Sequence, residues 1–490
     1  MAAPLRLDRR FLEGMSRGIL YKNVGPSRTP DDAGRVGRYP FLCRLSLAAS
    51  GLLHIYEAAV VQERRVTLRP GTARSPNGCY NKRSRGGPVC WDVSSLNSGG
   101  GFSVNTKNLS YGRQWIDDDD IAEVVKVLKG DWLTQGPTVA AFERSLADYA
   151  GVKHAVTFVN GTAALHGAMA AAGLGPGDRL LTTPMTFAAT SNSALYVGAE
   201  PVFADIEPGT LCLDPVKAEA KLREVEEAKE GRVRAVAPVS FGGYPFAMEP
   251  FRRLASEHGL VLIEDACHAL GGDRGGHKIG FDADMTVLSF HPVKHITTAE
   301  GGAVLTRSDE YAHALRLFRS HGITRNPEDF EEAPEGPWHC EMQTLGWNYR
   351  LTDLNCALGL SQMRRLDAFV KRRREIAALY RELLADVRGL TLPPAHEGHA
   401  YHLFPIQVDA EARGPLFAHL AENDIRLQVH YSPVPLHPYY KKRFGYRWGD
   451  FPEAERYYRG AISLPMFPLL EDSDVKRVAD CIKTFLGRGS

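Results

Sequence analysis

The sequence predicts an α/β fold: a large domain built on a mostly parallel sheet, followed by a smaller α+β C-terminal domain. Three features of the 490-residue chain carry this. Short apolar runs alternate with helical segments from about residue 116 to 306. The connections are long enough for crossover helices, which place a sheet between two helical layers. After about residue 309 the texture becomes helical, and from about 366 onward the chain reads as a smaller α+β domain. A composition of 44% hydrophobic and 24% charged residues is that of a folded enzyme and excludes collagen, a coiled coil or a wholly disordered chain.

Residues 1–105 stand apart. They lack sustained periodicity and end in a run rich in Ser, Asn and Gly at 94–101. They hold 16 Lys/Arg against 7 Asp/Glu, a net of +9, whereas the remainder holds 43 against 51, a net of −8. The segment suits a transit peptide, a disordered basic arm, or sequence upstream of the true start, and the natural product is expected to begin near Val104. Its most apolar stretch, 39–61, contains Arg44, His54 and Glu57, which a bilayer span rarely tolerates. Nucleic-acid binding through this segment is a rival reading, but no aromatic pattern interleaves the charges. The expected organisation is therefore 1–105 extension, 106–365 large domain, 366–490 small domain.

The formal charge of +1 over the whole chain gives no bulk attraction to nucleic acid or membrane, and neither is an expected partner. Cysteines 43, 79, 90, 212, 267, 340, 356 and 481 include no CxxC pair, so no metal site is expected. Scattered thiols suit a reducing, cytoplasmic location.

The elements follow in order. Acids at 117–120 precede an amphipathic run at 121–128, as acids at a helix N-terminus should. Strands are expected at 155–159, 179–183, 201–205, 233–240, 260–264, 285–290 and 303–306. Helices are expected at 162–172, 188–197 and 250–258. Residues 352–384 read as one long amphipathic stretch, whose basic run 371–374 reads as a solvated helix face. Candidate strands of the small domain lie at 401–408 and 427–430.

In such sheets ligands bind at the carboxyl ends of the strands. Four strand ends are unusual. Asn160-Gly161-Thr162 opens a helix with small residues, which suits a phosphate, although any strand-to-helix turn uses a Gly and a cap. Phe187, after the strand at 179–183, can stack on a planar cofactor or simply be core. Asp265 ends a strongly apolar strand, where a carboxylate needs a partner such as a protonated ring nitrogen, or else caps the next turn. Lys294 follows the apolar strand that ends near Ser289 and precedes the Glu300-Gly301-Gly302 turn. Desolvation or imine formation would make it reactive, whereas an ordinary surface lysine is only a charge. Together these are a phosphate cradle, an aromatic plate, a carboxylate for a ring nitrogen and a lysine for an aldehyde, the groups that pyridoxal 5′-phosphate requires.

At these residues the chain resembles the DegT-type sugar aminotransferases, a branch of the fold-type-I pyridoxal-phosphate enzymes. The resemblance runs from about Tyr111 to Phe485, and EDACHALGG (264–272) and SFHPVKHITTAEGG (289–302) are its specific stretches. It implies that Lys294 binds the cofactor's aldehyde and that Asp265 pairs with the pyridine nitrogen. By the same resemblance His268 lies near the 3′-oxygen, and Gly161, Thr162 and Ser289 bind the phosphate. Phe187 would stack on the ring, and Asn348 would reach the phosphate of a neighbouring subunit, which implies a homodimer with shared active sites. Arg350 and His430 resemble substrate contacts, with a surface ion pair and a buried structural histidine as their plainer readings. A family branch that performs dehydration has His in place of the lysine, and Lys294 argues against it.

Stretches 429–434, 438–440 and 463–468 most resemble the branch acting in pseudaminic acid biosynthesis, with Ser432 departing from an expected larger aliphatic residue. The implied reaction passes the amino group of L-glutamate to C4 of a UDP-linked 4-keto-6-deoxy-N-acetylhexosamine. A UDP-4-keto-pentose or GDP-4-keto-6-deoxymannose aminotransferase is the nearest alternative. A non-catalytic regulator that keeps the fold is the alternative from another class.

Overall fold

The computed structural model describes residues 108–229 and 231–487. The expectations for 1–105 lie outside the described residues. Seven strands form the large sheet: β1 (His154–Phe158), β2 (Asp178–Thr182), β3 (Glu200–Phe203), β4 (Arg232–Ala237), β5 (Val261–Asp265), β6 (Met285–Ser289) and β7 (Gly302–Thr306). Their order is β1-β7-β6-β5-β4-β2-β3. All neighbours pair in parallel except β7, which runs antiparallel to β1 and β6. The reason lies in the link between β6 and β7. Residues 290–301 contain no helix, so the chain doubles back instead of crossing over. That link carries Lys294.

Two helices beyond the sequence expectations, Pro137–Ala150 and Pro215–Ala228, both begin with proline at the first helical position. There the missing N–H costs nothing. Asp214 caps the second by accepting from the N–H groups of Val216 and Lys217. The helix Asp118–Leu128 forms as its acids predict, with Asp117 and Asp120 in a capping box. Its inward contact is polar: Asp120 is fully buried and bonded by Gln362 and Arg365. Ile121, Val125 and Leu128 remain exposed.

The stretch 352–384 is two helices, Asp353–Met363 and Leu366–Leu384. The break falls at Arg364 and Arg365, where Arg365 leaves helical geometry and its guanidinium reaches Asp117 and Asp120. Within the second helix the basic run is not a solvated face. Arg373 is fully buried, and its Nη1 donates to the carbonyl oxygens of Tyr401 (3.1 Å), His402 (3.4 Å) and Met466 (2.8 Å). Burial pushes its pKa down to about 9. These carbonyls come from distant segments, so helical periodicity could not reveal them. Arg373→Met leaves the carbonyls without this donor and is expected to cost about 2–4 kcal/mol of stability. The urea midpoint measures this, and an unchanged midpoint would contradict it.

The small sheet is antiparallel: β8 (Leu390–Thr391), β9 (Phe404–Val408) and β10 (Ala461–Leu464). The strand expected at 427–430 is absent. Gln428 makes a single bridge to Ser463. The His430 side chain then bonds the Ser463 hydroxyl, and side-chain pairing replaces the ladder. Leu109 packs in the core of this small sheet with Ile376, Phe404 and Ile425. Helix Leu366–Leu384 serves both sheets: Leu366, Phe369 and Val370 pack with Leu288 and Leu305, whereas Ile376, Tyr380 and Leu384 pack with Phe404 and Ile462.

Candidate active site

The carboxyl ends of β1, β2, β5 and β6 converge as the sequence predicts for a ligand site. Asn160 caps the helix Gly161–Ala171 by accepting from Ala163 N–H at 2.8 Å. The helix's first N–H groups, at Gly161 and Thr162, have no carbonyl one turn earlier. Gly161 presses on the end of β6. A Cβ there would stand 3.0 Å from Ser289 Cβ and 3.2 Å from its Oγ. The helix N-terminus and the Ser289 hydroxyl therefore face one point, as an anion requires.

Phe187 is 61% exposed. Its core reading is thereby overturned: the ring stands at the β2 end, 6.1 Å from the ring of Tyr431. Asp265 is the last residue of β5 and is buried. Its Oδ2 accepts from Thr190 Oγ1 at 2.6 Å and its Oδ1 from Cys267 N–H at 3.1 Å. The turn-capping reading thus holds in part. Two donors fix the carboxyl group, and a carboxylate has lone pairs for a third.

His268 is buried beside it. Its Nδ1 accepts from Gly242 N–H at 3.3 Å, so its proton lies on Nε2, 3.2 Å from the Tyr431 hydroxyl. Lys294 lies half-buried in the β6–β7 link, with Nζ 3.4 Å from His402 Nε2. Desolvation lowers its pKa; the charges of Cys267 and Asp265 act in the opposite direction. A less basic amine is the better nucleophile and proton acceptor near neutrality.

The remaining expectations divide. Asn348 is exposed, but the carbonyl of Tyr349 next to it accepts from Val159 N–H at 2.8 Å, which ties this segment to the chain entering Gly161. Arg350 is half-buried and makes no ion pair among the described residues. His430 is a buried histidine held by Ser463 Oγ at 2.8 Å. Burial, with Lys294 second, pushes its pKa down to about 4. Three neighbours of the site escaped the sequence reading: Thr190, Tyr431 and His402. Thr190 carried a signal one turn beyond Phe187 in a threonine-rich segment, and Tyr431 lies within the singled-out stretch 429–434.

Six histidines, at 166, 268, 295, 399, 402 and 430, have pKa values lowered by burial; for His166 the value is about 4. An unfolded histidine titrates near 6.5, so below that pH the unfolded chain binds more protons than the folded one. The stability these groups contribute is present above about pH 6.5 and is lost as pH falls towards 4. Denaturant midpoints should fall steeply across that window, with proton uptake on unfolding. A flat profile would contradict the burial of these rings.

Residues 114–483 match the DegT/DnrJ/EryC1/StrS aminotransferase family. The chain belongs to this family. It is 39% identical over 382 residues to the spore coat polysaccharide biosynthesis protein SpsC of Bacillus subtilis strain 168, spanning 76% of this chain and 96% of SpsC. It is 38% identical over 384 residues to the UDP-4-amino-4,6-dideoxy-N-acetyl-beta-L-altrosamine transaminase of Campylobacter jejuni strain 81-176, spanning 77% and 97%. Among solved structures it is similar to Helicobacter pylori PseC, an aminotransferase involved in the biosynthesis of pseudoaminic acid. That match has a TM-score of 0.71 and 31% identity over 78% of this chain and 100% of that one. The DegT/DnrJ/EryC1/StrS fold is that of the fold-type-I pyridoxal-phosphate enzymes, and this member is an enzyme of the aminotransferase class that uses pyridoxal phosphate. The residues present fit that cofactor. A side chain at Gly161 would fill the phosphate cradle, Asp265 has acceptor capacity left, and Lys294 is a desolvated amine in the same site.

Proposed function

We propose that the protein moves the amino group of L-glutamate to C4 of a UDP-linked 4-keto-6-deoxy-N-acetylhexosamine, forming UDP-4-amino-4,6-dideoxy-N-acetyl-β-L-altrosamine for pseudaminic acid biosynthesis. It acts as a cytoplasmic homodimer with shared active sites. The observation that carries the reaction is Lys294 and Asp265 in one desolvated site at adjacent strand ends. The likeness to the Campylobacter transaminase over nearly its whole length supports the sugar. Exposed Ile121, Leu128, Trp132, Met342 and Leu345 support burial against a second copy.

When bound, the cofactor supplies an aldehyde that takes up the amino group and a ring that accepts the electrons released at the substrate carbon. The chain supplies the rest. The N–H groups of Gly161 and Thr162 and the Ser289 hydroxyl would hold the phosphate, and Asn348 of the neighbouring subunit would complete that site. Phe187, exposed at the β2 end, would supply an aromatic face for the ring. Asp265 would keep a proton on the ring nitrogen by charge pairing, and His268 would serve the 3′-oxygen. Lys294 takes the proton from glutamate Cα and later returns one to sugar C4. Arg350 and His430 lie on the substrate side.

The test is a panel of keto sugars with 15N-labelled L-glutamate. The UDP-linked 4-keto-6-deoxy-N-acetylhexosamine should gain the label at C4, with release of 2-oxoglutarate. Preferential labelling of a UDP-4-keto-pentose or a GDP-4-keto-6-deoxymannose would replace the sugar. Transfer to no sugar would favour the non-catalytic regulator.

A further inference from the structure

His402 comes to the site from the chain leading into β9, 108 residues beyond Lys294. It is buried at 4% exposure. Its ring is packed against that of His268 at 4.3 Å, and its own carbonyl accepts from buried Arg373. The ring therefore has little freedom. Its Nε2 lies 3.4 Å from Lys294 Nζ, and its Nδ1 is buried with no partner among the described residues. Lys294 is thus the ring's one hydrogen-bonding partner there. An ammonium group only donates, so Nε2 is the acceptor and the ring proton sits on Nδ1.

We propose that His402 is a positioning residue for Lys294: its neutral imidazole accepts a hydrogen bond from the lysine amine through Nε2, and holds that amine at the pocket wall whenever it is not bonded to the cofactor. This rests on the reading of Lys294 as the catalytic lysine. The role has a physical motive. A lysine released during each half-reaction has four rotatable bonds, and it must stay near the carbon it serves. An acceptor fixed by packing removes that freedom, and a neutral one does so without adding a second buried cation.

The other groups around Lys294 do not duplicate it. Asp265 and Cys267 approach from the end of β5, and Arg373 from helix Leu366–Leu384 adds positive charge. Asp265 is already bonded by Thr190 and Cys267 N–H. His268, His295 and His430 are neutral by burial, and each already makes a bond elsewhere: His268 to Gly242 N–H, His295 to the carbonyl of Ala400, His430 to Ser463.

The experiment measures the pKa of Lys294 in cofactor-free full-length protein, by competitive amine labelling across pH and peptide mass spectrometry. His402→Leu removes the acceptor at similar size, and His402→Gln keeps a carbonyl acceptor. Loss of a hydrogen bond to the charged amine should lower the Lys294 pKa by about one unit, or about tenfold in labelling at a fixed pH. His402→Gln should restore most of it. Equal values in all three proteins, or equal shifts in both variants, would overturn the proposal. If His402→Leu does not fold, 15N-histidine NMR of the unmodified apoprotein decides: a proton on Nδ1 is expected, and one on Nε2 overturns the role. Borohydride reduction of the holoprotein separates the premise from the proposal. Cofactor trapped on a residue other than Lys294 would sink the premise, whereas cofactor on Lys294 leaves the labelling result to judge His402 alone.

Discussion

Lys294→Ala is expected to abolish amino transfer, by about 10⁴-fold or more. Two tasks fall to this one side chain. In the proposed mechanism it is the amine that would join the cofactor's aldehyde, and the base that would move the proton between glutamate Cα and sugar C4. Desolvation prepares it for both by lowering its pKa, which raises the fraction of free amine near neutrality. No other lysine lies in the β6–β7 link, residues 290–301, to substitute for it. The variant should keep its fold, because among the described residues the Lys294 side chain makes no hydrogen bond except to His402. Single-turnover release of 2-oxoglutarate, with unfolding measured alongside, checks this. Normal turnover by Lys294→Ala would end the mechanism as written.

The second large effect is at Asp265. Asp265→Asn keeps the size of the side chain and removes its charge. In the proposed mechanism proton retention on the ring nitrogen depends on that charge, and a charge-paired neighbour shifts such a group by about 1–3 pK units. A loss of about 10²–10³-fold in turnover is expected, with cofactor binding weakened less. The environment makes the charge hard to replace. Thr190 Oγ1 and Cys267 N–H both donate to this carboxyl group. An Asn side chain there loses a bond if its amide turns towards Cys267 N–H, and if it turns towards Thr190 the hydroxyl must accept instead of donate. Turnover of both half-reactions measures the effect, and an unchanged rate would remove the ring-nitrogen partner from the mechanism.

Much of this was legible in the sequence because the chemistry lies where apolar strands stop. Asp265, Ser289 and the lysine after them interrupt runs that otherwise read as buried strand, and polar residues at such points need a reason. The Gly161 turn was legible as a turn, and its near-contact with Ser289 gives the small residue its purpose. For Phe187 hydrophobicity alone left a core assignment open, whereas its place at a strand end left it exposed. What stayed hidden comes from long-range approach. Thr190 meets Asp265 across 75 residues, and Arg373 bonds carbonyls up to 93 residues away. No local pattern encodes such meetings. The antiparallel turn of β7 was hidden for a related reason, since the sequence marked the strand but not the absence of a crossover helix before it. The helices Pro137–Ala150 and Pro215–Ala228 open with a proline, a residue read more readily as a turn than as a first helical position.

The most direct test of the central claim is the visible absorption spectrum of the purified protein with pyridoxal phosphate, recorded before and after L-glutamate and then after the UDP-linked 4-keto-6-deoxy-N-acetylhexosamine. The account predicts a visible band that bleaches with glutamate and returns with the keto sugar. Failure of the band to form, or a band that glutamate leaves unchanged, would contradict the assignment of Lys294 and Asp265.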